Sequence, residues 1–116
     1  VHEGPVRLSR VSMIPLEPGM ILSNEPGYYR GGAFGIRIEN LIVVQTAAPL
    51  GETRQWLDFE TITLCPIDTR LILRDLLTSD EVAWLNAYHA RVWSDIGPLV
   101  SGETQVWLQQ ACAPLA

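Results

Sequence analysis

An α+β fold is predicted, with strands through the first part of the chain and helices in the last third. Three observations predict it. Trp56 to Cys65 alternates at a period of two: Leu57, Phe59, Thr61 and Thr63 face one way, and Asp58, Glu60, Ile62 and Leu64 the other. Beyond residue 78 the period changes, and Val82, Leu85, Tyr88, Val92 and Ile96 recur as one helical stripe. Earlier in the chain, Ser23-Asn24-Glu25-Pro26-Gly27-Tyr28-Tyr29 and Gly35-Ile36-Arg37-Ile38-Glu39-Asn40 flank a glycine-rich turn signal at 30–35. Strands followed by helices argue α+β rather than an alternating α/β fold.

The elements follow in order. Residues 1–20 carry Pro5, Pro15 and Pro18 and read as loop and short extended pieces. Leu16-Glu17-Pro18-Gly19-Met20 is a turn, since proline presets φ and glycine accepts a positive value. Met20 to Asn24 reads as a strand. Phe34 to Gln45 reads as a second, with the β-branched run Ile42-Val43-Val44 buried. Residues 46–55 are small and polar, a surface loop, and Pro66 stops the third strand. Thr78-Ser79-Asp80-Glu81 fits a capping box with Thr78 as N-cap. Gly97-Pro98 ends that helix, and a shorter one should run from Glu103 to Ala113 before Pro114. Residues 1–70 and 71–116 are the expected divisions.

Composition narrows the function classes. With 116 residues, 47% hydrophobic and 18% charged, the chain is globular rather than disordered. A net charge of −5 argues against a nucleic-acid partner. No apolar run approaches the roughly 20 residues that span a bilayer, so no membrane partner is expected. Cys65 and Cys112 have no metal-ligand spacing and read as unpaired core thiols in a reducing, cytoplasmic compartment. All eight basic residues are arginines, which reads as a compositional bias without functional meaning. The start at Val1-His2-Glu3-Gly4-Pro5, without methionine, reads as part of a larger protein.

Chemistry centres on Glu25 and Glu39. If the chain folds back at Gly32, residues whose numbers sum to 64 face each other, which sets Glu25 opposite Glu39. Facing carboxylates repel across an antiparallel pair. A cation between them removes the conflict, and hard divalent metals prefer such oxygens. The alternatives are a solvated strand-end carboxylate at Glu25 and a structural ion pair between Glu39 and Arg37, two residues apart on one face. Glu39 also sits among Ile36, Ile38, Leu41 and Ile42, where a buried charge needs a partner. Glu60 reads as structural or as support for a site. His89 reads as a helix-packing or capping residue, and Trp84, Trp93 and Trp107 fit helix packing or an interface.

Four strings together carry a resemblance. They are Val1-His2-Glu3-Gly4-Pro5, residues 19–29 through Ser23-Asn24-Glu25-Pro26-Gly27, Phe34-Gly35-Ile36-Arg37-Ile38-Glu39-Asn40, and Trp84-Leu85-Asn86-Ala87-Tyr88-His89. In this order they resemble Xaa-Pro aminopeptidases (aminopeptidase P) of the creatinase/prolidase group. The resemblance implies a partial pita-bread fold, a curved antiparallel sheet followed by C-terminal helices. It implies release of an N-terminal residue when proline follows it. It implies two divalent metal ions, manganese first with zinc or cobalt as alternatives, held by two aspartates, a histidine and two glutamates. Glu25 and Glu39 match the two glutamates. His2 matches a histidine that assists at the substrate carbonyl, and Arg37 and Tyr29 match positions lining the site. The remaining ligands have no counterpart in this chain, so the chain alone is expected to be inactive. A homodimer is expected, as is common in this family. Two rival readings are a prolidase acting on Xaa-Pro dipeptides and a non-catalytic binding module of the same fold.

Overall fold

The fold turns on one register, kept across a break in the sheet. A computed structural model describes residues 4–49, 51 and 53–115. Strand β1 (Ile21–Asn24) pairs antiparallel with β4 (Asn40–Thr46), Asn24 opposite Asn40. Strand β2 (Gly27–Arg30) pairs with β3 (Phe34–Arg37), Gly27 opposite Arg37. Every pair sums to 64, as the fold-back about Gly32 requires, and Gly32 takes the positive φ of 70° that the turn needs.

The long second strand expected from Phe34 to Gln45 is two strands, β3 and β4, with Ile38 and Glu39 between them. Pro26 explains the interruption. It has no N–H to give the ladder, and only its carbonyl joins, accepting from Ile38 N–H at 3.2 Å. Two residues on each side are skipped, so the register survives and the ladder does not. Strand β2, absent from the expected elements, forms because the turn pairs it with β3. All four of its residues are exposed, so it carries no burial signal.

Strand β5 (Leu57–Thr61) joins the far side of β4, giving a three-stranded sheet in the order β1-β4-β5 beside the two-stranded β2-β3 sheet. It is shorter than the expected Trp56–Cys65. Past Thr61 the N–H of Leu41 goes to the Thr63 hydroxyl at 2.8 Å instead of a backbone carbonyl, and the strand peels away. One face of the larger sheet is the core, with Leu22, Ile42 and Val44 buried and Val6, Leu16, Met20 and Leu57 packed against them. The opposite face carries Ile21 and Leu41, both exposed. At the entry to β1, Gly19 takes φ 92° and Met20 N–H closes the predicted turn on Glu17 O at 3.1 Å.

The chain forms two compact units, Val1–Thr63 and Leu64–Ala116. In the second, helix α1 (Ser79–Ile96) begins with the predicted capping box, Thr78 and Glu81 bonding each other's backbone N–H. Its buried stripe is Val82, Leu85, Tyr88, His89 and Val92. A single 3₁₀ turn, Gly97–Leu99, follows, and helix α2 runs from Gly102 to Ala111, two residues short of the expected end. Tyr88, Val92, Leu108 and Cys112 form the core of this unit.

That unit is also stapled by polar side chains of α1. Tyr88 Oη donates to Cys65 O at 2.6 Å, and Ile67 N–H donates to His89 Nε2 at 3.0 Å. Asn86 holds both backbone groups of Leu115, at 3.1 and 2.8 Å. The expected packing role of His89 is met, since its ring is fully buried. The expectation of two core thiols needs correcting: both cysteines are free, but only Cys112 is buried, and Cys65 is exposed. Cys65 follows β5 in an irregular segment held through its backbone, so its side chain need not enter the core.

Candidate functional site

Glu25 and Glu39 occupy the gap between the two sheets, where the ladder is reduced to the single bond from Ile38 N–H to Pro26 O and side-chain bonds add to it. Ser23 and Glu25 share a face by alternation, as do Arg37 and Glu39. Both carboxylates reach one guanidinium. Arg37 Nη1 donates to Glu25 Oε2 at 3.0 Å, and Arg37 Nε lies 3.7 Å from Glu39 Oε2. The repulsion expected between facing glutamates is therefore offset by Arg37. The closer partner of Arg37 is Glu25, twelve residues away, rather than its neighbour Glu39.

Burial does not force this arrangement. Ile36 and Ile38 are exposed, and the Glu39 side chain is 44% exposed against 20% for Glu25. The premise that Glu39 sits in a buried strand is thus wrong: it lies between β3, whose four residues are all exposed, and β4, and belongs to neither. Exposed ion pairs add little stability, so the convergence is better read for its chemistry. The Arg37 guanidinium is held above its ordinary pKa, first by Tyr29 and then by Glu39.

Tyr29 reaches that position because two glycines make room for it. A Cβ added at Gly35, its cross-strand partner, would lie 2.7 Å from Tyr29 Cδ1. A Cβ added at Gly27 would lie 2.9 Å from the Tyr29 hydroxyl and 2.7 Å from Arg37 Cγ. The ring spans both glycines, with its hydroxyl at the Gly27 end. Packing an aromatic over a strand glycine also shields the bare backbone.

Beside this cluster runs an open groove of about 930 Å3, lined among others by Val6, Arg7, Leu8, Ile21, Ser23 and Glu25. His2 lies outside the described residues. Glu60 shares the open face with Ile21 through its pairing with Val43. On the core side, buried Asn40 has an Oδ1 with no hydrogen-bond partner among the described residues.

Sequence reasoning missed Ser23, whose hydroxyl donates to Glu25 Oε1 at 2.6 Å. Its signal was the spacing of two from Glu25 along a strand. It also missed Gly27 and Gly35, whose signal was their place beside and across from Tyr29.

The donors suit a hard divalent cation: two carboxylates on one face, with one arginine between them. They are too few to hold one alone, and among the described residues no group of three or more histidine, cysteine, aspartate or glutamate side chains is placed to bind a metal. The described helices include none long and apolar enough to cross a membrane.

Comparison with known proteins bears on these residues. A family model described as the C-terminal region of peptidase_M24 matches residues 55–115, and one described as metallopeptidase family M24 matches residues 1–46. Aminopeptidase P2 of Arabidopsis thaliana is 49% identical over 121 residues, covering 100% of this chain and 17% of that protein. A probable Xaa-Pro aminopeptidase P of Laccaria bicolor is 44% identical over 124 residues, covering 99% of this chain and 19% of that protein. The crystal structure of X-prolyl aminopeptidase from Caenorhabditis elegans, described as a cytosolic enzyme with a di-nuclear active site, superposes with a TM-score of 0.81. It is 35% identical, and the match covers 98% of this chain and 19% of that one. The chain thus spans less than a fifth of the length of each of these three relatives. The structural match agrees with the expected α+β, partial pita-bread fold.

Proposed function

This chain belongs to the M24 metallopeptidase family, and from that premise we propose that it forms part of a dinuclear-metal Xaa-Pro aminopeptidase. The enzyme would release the N-terminal residue from peptides with proline in second position. The observation that carries this reading is the convergence of Glu25 and Glu39, from opposite sides of the hairpin, on Arg37. Aminopeptidase P relatives matching nearly the whole chain support the substrate class over that of a dipeptidase.

In this proposal Glu25 and Glu39 are ligands of two divalent cations, manganese by preference, and the other ligands come from outside this chain. When bound, the cations would supply Lewis-acid polarisation of the scissile carbonyl and acidify a water. Glu25 takes the proton of the attacking water at a carboxylate oxygen. Arg37 offsets the repulsion between the two carboxylates and holds both near one guanidinium. His2 donates a hydrogen bond to the carbonyl oxygen as negative charge develops there. Tyr29, set over Gly27, lines the substrate side next to Arg37. The chain alone would not turn over substrate, because two carboxylates are an incomplete donor set. A cytoplasmic location and a homodimer complete the proposal; the cytosolic Caenorhabditis relative supports the first.

The test uses the full-length protein. Glu25→Gln and Glu39→Gln should each lower bound metal and nearly abolish release of the first residue from an Xaa-Pro-Xaa tripeptide. His2→Ala should lose roughly 10²–10³-fold in kcat with metal content intact. Full metal occupancy in both glutamate variants would sink the proposal, and faster hydrolysis of Xaa-Pro dipeptides than of tripeptides would reassign the substrate.

A further inference from the structure

Glu25 stands just past the end of the strand ladder. Strand β1 ends at Asn24, and Pro26 cannot donate to the ladder on the other side. Its carboxylate is nevertheless held at both oxygens. Ser23 Oγ donates to Oε1 at 2.6 Å and Arg37 Nη1 to Oε2 at 3.0 Å. The serine bond falls in the short range of hydroxyl–carboxylate bonds, which are stronger than neutral ones. Both Ser23 and Glu25 are half-buried, so water competes for the bond only in part.

The two donors come from different strands and engage different oxygens. A carboxylate gripped at one oxygen can still swing about its terminal bond. Gripped at both, it keeps its plane. Each oxygen also has a second lone pair, so these bonds do not exhaust its capacity as a ligand. Arg37 has Glu39 as a second partner, whereas the Ser23 hydroxyl, two residues away, restrains Glu25 from the end of β1.

We propose that Ser23 is a positioning residue that orients the Glu25 carboxylate for metal binding. The inference rests on the reading of Glu25 as a metal ligand. Partners that orient a ligand typically alter metal affinity by about 10–100-fold when removed. Serine suits the position because its short side chain reaches the carboxylate two residues on along one strand face. Threonine keeps the hydroxyl and is favoured in strands.

The experiment titrates Mn2+ alone into the metal-free full-length protein by calorimetry. Ser23→Ala should weaken Mn2+ binding about 10–100-fold, and Ser23→Thr should restore it. Ser23→Cys, close in volume with a weaker donor, should fall between the two and guards against misfolding of the alanine variant. Glu25→Gln is the control for the underlying reading and should lose affinity by more than Ser23→Ala. Wild-type affinity in Ser23→Ala and Ser23→Cys beside a failed Glu25→Gln would overturn the role of Ser23 and leave Glu25 as a ligand. Wild-type affinity in Glu25→Gln would overturn both. A threonine variant as weak as alanine would show that the hydroxyl is not what matters.

Discussion

Acidification should loosen the Leu64–Ala116 unit, and His89 is the reason. Its ring is fully buried, and burial pushes its pKa below the ordinary 6.5. No charged side chain is among the causes of that shift. Nε2 accepts the Ile67 N–H at 3.0 Å, which only an unprotonated nitrogen can do. The folded state therefore holds the ring neutral, while the unfolded chain binds a proton at the ordinary value. Stability is complete above about pH 6.5 and falls as the pH drops toward the lower folded-state value, with a limiting slope of about 1.4 kcal/mol per pH unit. His89→Gln can keep an acceptor oxygen for Ile67 yet has no proton to gain, so its slope should vanish. His89→Leu fills the space but orphans the Ile67 N–H, at a cost of about 1–3 kcal/mol even at neutral pH. Urea unfolding between about pH 5.5 and 7.5, followed by tryptophan fluorescence, measures all three. Trp84 is a suitable reporter, stacked on Tyr88 with ring centroids 5.5 Å apart. A wild-type stability flat across that range, or an acid slope unchanged in His89→Gln, would refute the reasoning.

Other perturbations probe the remaining elements. Gly35→Ala puts a methyl 2.7 Å from the Tyr29 ring; it should cost roughly 1–3 kcal/mol and alter the tyrosine near-UV circular dichroism, and a silent substitution would show that the ring does not need the glycine. Thr78→Ala removes the N-cap of α1 and should lower stability by about 1 kcal/mol, read as a lower Tm; an unchanged Tm would mean the cap is idle. The exposed side chains Leu99, Val106 and Trp107 should drive self-association, and light scattering at micromolar concentration that finds only monomer would count against the proposed homodimer.

Much of this protein was legible in its sequence because the deciding signals are local. Gly32 and the mirrored motifs set the hairpin register. Pro18-Gly19 set the turn into β1, and Thr78 with Glu81 set the start of α1. Each depends on residues a few positions apart, so turn and cap chemistry suffices. The same fold-back set Glu25 opposite Glu39, and Arg37 lies two residues from Glu39 on one face, so the three fall in one neighbourhood. Tertiary structure decided what those residues touch. It gave Arg37 to Glu25 more closely than to Glu39, and brought Ser23 onto the other carboxylate oxygen. It left β3 exposed although the strand reads as apolar, and it turned Cys65 outward. It made Asn86, Tyr88 and His89 clamps on backbone more than twenty residues away in sequence. Apolar pattern states which residues can be buried, whereas burial and pairing depend on which surfaces meet, and only the folded chain brings those surfaces together.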